Sequence, residues 1–280
     1  MPKPCSVFLG LAALLPSTTL TSCSSPTSDY QAGQTRLVLT GSSTVAPLAL
    51  EIAKRFESEH PGVRVDVQTG GSSRGVADAR RGLANIGMAS RPLKPDEEDL
   101  YAFAIARDGV CLIVHQDNPV QALTDEQVVA IYTGKVDNWS DVGGNDAPIT
   151  VVNKAAGRST LELFLDYFNL TSVDVQADVV IGDNEQGIKT VAGNPNSIGY
   201  VSIGTAEYDA TVGIRIQLLP VGGVEASVEN VATGSFPLSR PLNLVTRQQP
   251  TGLAKEFIEY AQSDAVHDLI REQYFVPITP

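Results

Sequence analysis

From residue 36 onward, apolar positions recur in two alternating patterns, short runs of period two and longer runs of period 3.6, with small polar residues between them. "RLVLTG" (36–41) predicts a strand, and "APLALEIAKRFESEH" (46–60) a helix with Leu48, Ile52 and Phe56 on one face. "VRVDVQTG" (63–70) alternates as a second strand, "GSSRGVADARRGL" follows it, and "ANIGMASRPL" (84–93) predicts a third. Thr124 and Gln127 stand at capping-box spacing and mark a helix start. After a turn-rich stretch at 137–148, a strand from Ile149 to Val152 leads into a helix carrying Leu161, Leu163, Phe164, Leu165 and Phe168. A helix at 185–192, a strand at 197–204, further strands through 242–247 and a C-terminal helix over 251–274 complete the reading. Alternation of this kind predicts an α/β fold with mostly parallel strands.

The same turn grammar occurs three times. Ser42-Ser43-Thr44, Ser72-Ser73-Arg74 and Arg158-Ser159-Thr160 each lie between a strand and a helix, and Lys154 precedes the last. A helix start leaves backbone N–H groups unpaired and carries positive dipole charge, so it attracts anions. One such turn is ordinarily just a cap. Three, two of them with Arg, make an anion cradle, and in an open α/β sheet such turns converge at the carboxyl ends of strands. A dipole contributes about 0.3–1 kcal/mol and a charge-assisted hydrogen bond about 1.5–3, so a net gain of about 8 kcal/mol, micromolar affinity, needs several turns together.

Composition narrows the partners. The 280 residues carry a formal charge of −12, which excludes the basic surface that non-specific nucleic-acid binding requires. "MPKPCSVFLGLAALLPSTTLTSC" has one cation, an apolar run from Val7 to Leu15 too short for a bilayer, and small residues before Cys23. This reads as a signal peptide over 1–22, and the ending "LTSC" resembles the bacterial lipobox, which implies lipidation of Cys23 and a tether over 23–35. The expected location is therefore exported, in the periplasm or at the cell surface, held to a membrane by lipid alone. Cys5 leaves with the signal and Cys111, in "GVCLIVH", reads as a small buried hydrophobe, so no internal disulfide is expected. His60, His115 and His267 are dispersed, giving no metal site, and no cofactor is expected.

"TGSSTVAPL", "TGGSSRG", "IGMASR", "IYTGKVDNWSDVGG", the turn at 153–160 and "IGYVSIG" follow one another in an order that resembles the phosphate-binding proteins of bacterial ABC phosphate transporters, across essentially the whole mature chain. The resemblance implies a type II periplasmic-binding-protein fold: two α/β lobes joined by two crossover strands, with the ligand in the cleft between. Lobe 1 is expected over 36–112 and 243–280 and lobe 2 over 113–242, with crossings near 112–118 and 237–243. It implies a monomer that binds inorganic phosphate and delivers it to permease subunits without making or breaking a bond. The implied ligand residues are Ser43, Thr44 and the Val45 amide, Ser72, Ser73 and Arg74, Ser90, and Ser159 with Thr160.

Three positions depart from the family pattern. Lys154 stands where Arg is expected and Arg158 where Ser is expected; Arg91 stands where the best-known members have an Asp that accepts the proton of hydrogen phosphate. A buried acceptor of that kind discriminates by about 10⁴–10⁵, so its replacement leaves another tetrahedral oxyanion such as sulfate open, with Asp66, Asp183 and Glu185 as alternative acceptors. Arg91, Lys154 and Arg158 enter the expected site as extra cations.

Two further readings compete. Gly71-Ser72-Ser73-Arg74-Gly75 matches G-x-S-x-G between a strand and a helix, the setting of a hydrolase nucleophile at Ser73, with His267 later in the chain. Only one strand precedes that turn and His267 lies in a helical pattern, both against an enzyme. A lipid-anchored adhesion or sensor protein on the same fold is the third reading.

Overall fold

The computed structural model describes residues 35–278. The signal segment, Cys23 and all of the tether except Thr35 lie outside the described residues. The chain runs β1 (Thr35–Gly41), α1 (Ala46–Glu59), β2 (Val63–Thr69), α2 (Ser72–Arg81), β3 (Ile86–Ala89) and β4 (Tyr101–His115). There follow α3 (Asp125–Tyr132), β5 (Thr150–Lys154), α4 (Ser159–Tyr167), β6 (Val179–Ile181), α5 (Asn184–Ala192), β7 (Ser197–Ser202), α6 (Ile203–Thr211) and β8 (Ile216–Leu219). The last part is α7 (Val228–Thr233), β9 (Ser239–Thr246), α8 (Gly252–Ala261), α9 (His267–Glu272) and β10 (Val276–Pro277).

The strands join in the order β2-β1-β3-β9-β4-β7-β5-β6, with β8 and β10 also paired to β4. β1 runs parallel to β2 and β3, and β5 parallel to β6 and β7. Every antiparallel ladder involves β4 or β9. The sheet is therefore mixed rather than mostly parallel. The βα alternation visible in the sequence is real on both flanks, but two long strands pass through the middle against its direction.

Those two strands also change core. Leu37, Leu39, Leu48, Ile52, Phe56, Ile86 and Met88 pack with Ala106 of β4 and Leu242 and Leu244 of β9. Val110 to Val114 of the same β4 belong instead to a second apolar core with Tyr132, Trp139, Phe164, Ile198 and Tyr200, and so does Leu238 just before β9. Each lobe thus builds its own core. The chain passes from one to the other between Ala106 and Val110, and back between Leu238 and Leu242.

Two segments differ from the periodicity. The long C-terminal helix is broken into α8 and α9 by a 3-10 turn at Asp264–Val266, where Ser263 Oγ donates to Tyr260 O (2.7 Å) and takes up a carbonyl of the ending helix. The strand at 197–204 ends at Ser202, because its hydroxyl accepts from Thr205 N and caps α6.

Close packing sets the position of α2. A Cβ on Gly75 would lie 2.6 Å from Thr40 O and 2.7 Å from Met88 O, and Gly41, at φ +134°, has Gly75 Cα equally near. The second glycine of G-x-S-x-G therefore lets helix backbone rest on strand backbone, which brings Ser72 to the ends of β1 and β3. On the other flank Phe164 of α4 stacks on Tyr200 of β7 (centroids 4.0 Å apart, 8° between planes) and also meets Tyr132 and Phe168. This ring cluster fixes where α4 begins. Phe164→Ala is expected to lower unfolding free energy by about 3–5 kcal/mol, read as a shift of the urea midpoint.

Candidate anion-binding site

The three turns meet. Ser42 Oγ, at the end of β1, donates to Ser90 Oγ (2.9 Å), and its own oxygen accepts from the amides of Thr44 and Val45. Ser72 Oγ pairs with Ser159 Oγ (2.9 Å) and accepts from Ser90 N (3.1 Å), while Ser90 and Ser159 hydroxyls lie 2.5 Å apart. All four serines are buried. Three belong to lobe 1 and Ser159 to lobe 2, so the hydroxyl cluster spans the cleft.

The helices that begin here are α1, α2 and α4, and none has a side chain capping its start. Of the other helices, α3, α5, α6 and α7 are each capped by Thr124, Asp183, Ser202 or Ser227, while α8 and α9 have no side-chain cap. The uncapped starts of α1, α2 and α4 leave first-turn N–H groups and their dipoles aimed at the cluster. In the second of them, Gly71 at φ +94° reverses the chain at a place where a Cβ would meet Gly157 O (2.7 Å) across the cleft.

Cations ring the hydroxyls. Arg240, at the start of β9, is fully buried; it donates to Thr160 Oγ1 (2.9 Å) in lobe 2 and Thr44 Oγ1 (3.3 Å) in lobe 1. Its charge is held by Asp108 of β4 (2.8 Å), its register partner across the ladder, whose other oxygen accepts from Gly204 N. Lys154 is buried at the end of β5 with Nζ donating to Asp183 O (2.8 Å) and Asn184 Oδ1 (3.1 Å). Burial, reinforced by the Arg240 and Arg158 charges, pushes its ammonium down to about 7. Arg158 is half-buried and reaches Ser43 Oγ in the opposite lobe (3.4 Å).

The predicted residues therefore separate. Thr44, Ser72, Ser90, Lys154, Arg158, Ser159 and Thr160 come together. Ser43 lies at the rim, and Ser42 holds the buried place expected for it. The Val45 amide already donates to Ser42 Oγ. Arg74 points outward to Asp78 (3.2 Å), one helical turn on. Ser73 Oγ donates to Glu162 (3.2 Å). Arg91 is enclosed by Glu97 (2.6 and 2.8 Å) and Glu162, so its charge is spent on carboxylates rather than offered to the cleft.

The alternative proton acceptors are engaged elsewhere: Asp66 with Arg36, Asp183 as the cap of α5, and Glu185 beside exposed Lys189. Ser73, the hydrolase nucleophile of the competing reading, has a glutamate rather than a histidine as partner, and His267 sits beside Asp264 of the 3-10 turn that precedes its helix. Among the described residues, no three His, Cys, Asp or Glu side chains cluster as metal ligands would.

Arg240 and Asp108 escaped the sequence reading. The signal was present, since Arg240 in "SRPLNLV" and Asp108, after Arg107, in "ARDGVCLIV" are charges at the edge of apolar strand patterns, where an unpaired charge is costly and a partner is implied.

Comparison with known proteins agrees with this geometry. A PBP superfamily domain model matches residues 25–265. The phosphate-binding protein PstS of Bacillus subtilis is 30% identical over 248 residues, covering 87% of this chain and 81% of that one. A Clostridium perfringens protein assigned as a phosphate ABC transporter substrate-binding protein, solved with phosphate bound, superposes with TM-score 0.80 at 33% identity over 88% of this chain and all of that one. An ABC-type phosphate transport receptor from Vibrio cholerae gives 0.73 and 31%, over 87% of this chain and all of that one. With uncapped helix starts, a hydroxyl-lined cleft and a domain model over most of its length, the chain belongs to the PBP superfamily, in the family of the PstS phosphate-binding proteins.

Proposed function

We propose that the chain is an extracytoplasmic receptor for inorganic phosphate that delivers its ligand to an ABC importer, acting as a monomer held to a membrane through lipid on Cys23. The observation that carries this reading is the buried cluster of Ser42, Ser72, Ser90 and Ser159, drawn from both lobes and set at three uncapped helix starts. Hydroxyls whose own protons go only to one another can turn those donors to the oxygens of a tetrahedral anion, and Thr44, Thr160, Arg158 and Arg240 stand around them. Binding closes the lobes on the ligand and a permease reads the closed form; no bond is made or broken. The relatives named as phosphate-binding or phosphate-transport proteins support phosphate over other oxyanions.

Titration calorimetry of phosphate and sulfate tests the assignment. Phosphate is expected to bind far more tightly; equal affinities would remove it.

Arg158 has no carboxylate partner within ion-pair distance among the described residues, so its removal leaves no orphaned charge. Arg158→Ala is expected to weaken phosphate binding by about 1.5–3 kcal/mol with the unfolding midpoint unchanged. Arg74→Ala, which breaks only an exposed pair with Asp78, is expected to leave affinity unchanged.

Lys154 supplies a pH signature. Its ammonium titrates near 7 in the folded protein against 10.5 ordinarily, so between those values the free receptor has lost a proton that an anion beside it would restore. Phosphate binding at pH 8 is therefore expected to take up protons at this residue, measured as a dependence of binding enthalpy on buffer ionisation enthalpy. Lys154→Met is expected to abolish that uptake. The same shift works on stability without ligand: the unfolded chain holds the proton above about 7, so the penalty of burying Lys154 is complete below that pH and fades as pH rises toward 10.5.

A further inference from the structure

Glu162, in the first turn of α4, faces across the cleft toward lobe 1. Lys94 Nζ lies 3.0 Å from its Oε1 and Arg91 Nε 2.8 Å from its Oε2, and Ser73 Oγ donates to Oε1 at 3.2 Å. The Arg91 contact is an ion pair rather than a hydrogen bond, because the Nε–H is not aimed at the carboxylate. Arg91 is itself anchored within lobe 1 by Glu97, which also accepts from Lys94 N. Among the described residues, Glu162 is the one lobe 2 carboxylate that these lobe 1 groups share.

Accepting the phosphate-receptor reading, we propose that Glu162 is a positioning residue: an electrostatic latch that draws the lobes together and so sets how long the ligand stays bound. None of the four latch groups belongs to the hydroxyl cluster, so its attraction is a property of the chain and acts whether or not an anion lies in the cleft. Its placement couples the two. Glu162 stands one helical turn beyond Ser159, and Ser73 follows Ser72, so the contact that engages the latch also aligns the two hydroxyls that meet across the cleft at 2.9 Å. A receptor that binds its ligand only when closed gains apparent affinity in proportion to the closed fraction. Truncating a partner of a buried charge pair acts chiefly on dissociation, and the Arg91–Glu162 pair is largely enclosed, at 7% and 22% exposure.

The latch explains why Ser73 and Arg91 stand in a ligand-like motif without reaching the ligand position. They read the opposite lobe instead.

The test uses small-angle scattering of the ligand-free chain and stopped-flow phosphate dissociation. Glu162→Gln, which keeps shape and removes charge, is expected to enlarge the radius of gyration and to speed phosphate release about tenfold, the loss of affinity lying in release rather than association. High salt is expected to expand the wild type and leave E162Q unmoved. Lys94→Gln alters a side chain that is 43% exposed and so folds regardless; it is expected to give a smaller change of the same sign. A wild type and E162Q of equal radius at low and high salt, with equal release rates, would overturn the proposal. A wild type that binds no phosphate yet expands on E162Q would refute the receptor reading and leave the latch standing.

Discussion

The ion pair between Asp108 and Arg240 sits where both connecting strands cross from one lobe to the other. The two residues are opposite each other in the β4–β9 ladder, between the part of each strand that feeds one core and the part that feeds the other. Both side chains are completely enclosed. Burying two charges costs several kcal/mol, and their attraction offsets this only when the remaining donors and acceptors are satisfied. Here they are: Gly204 N serves Asp108, while Thr44 and Thr160 serve the guanidinium. The geometry is consequential because those threonines come from different lobes. One rigid cation at the crossing point therefore senses the separation of the helix starts on either side, and it can do so only while Asp108 holds it in place.

That dependence extends to the hydroxyl cluster. Thr44 precedes α1 and Thr160 lies in the first turn of α4, so the contacts of Arg240 lie beside Ser42 and Ser159 in the chain. The glycine contacts of α2 with β1 and β3 and the ring stack of Phe164 on Tyr200 then set the depth of each helix start. Backbone-to-backbone packing on one side and aromatic stacking on the other are both insensitive to salt, so the scaffold is stiff where the site's electrostatics are variable. Gly71 and Gly75 serve this packing, and a hydrolase elbow is not needed to explain them.

How much of this was legible follows from the range of the interactions. The turns and helix starts on each flank are local, set by periodicity and small residues, and they read correctly from Ser72, Ser159 and their neighbours. The pairing of charges is not local, and the site cations were sorted by it. Arg74 finds Asp78 four residues on, a partner that helical spacing makes visible; Arg91 finds Glu97 six residues on and Glu162 in the other lobe, which no spacing announces. Arg240 and Asp108 are far apart in sequence and meet only because two antiparallel strands run through a sheet whose flanks look parallel. The break between α8 and α9 was hidden for the opposite reason: apolar spacing continues across it, while Ser263 diverts a carbonyl of the ending helix.

The charge balance of the site follows from these pairings and bears on what it selects. Arg240 is neutralised by Asp108, Arg91 by Glu97 and Glu162, and Lys154 is pushed toward neutrality by burial and by the arginines beside it. Arg158 is left as the cation of the cluster without a carboxylate partner among the described residues. The cleft is therefore far less positive than its four basic residues suggest. Hydroxyls differ from fixed cations in one respect that matters for an oxyanion: each can donate to an unprotonated oxygen or accept from a protonated one. Ser42 already does both, donating to Ser90 and accepting from the amides of Thr44 and Val45, and the Ser72, Ser90 and Ser159 hydroxyls are paired so that either partner can be the donor.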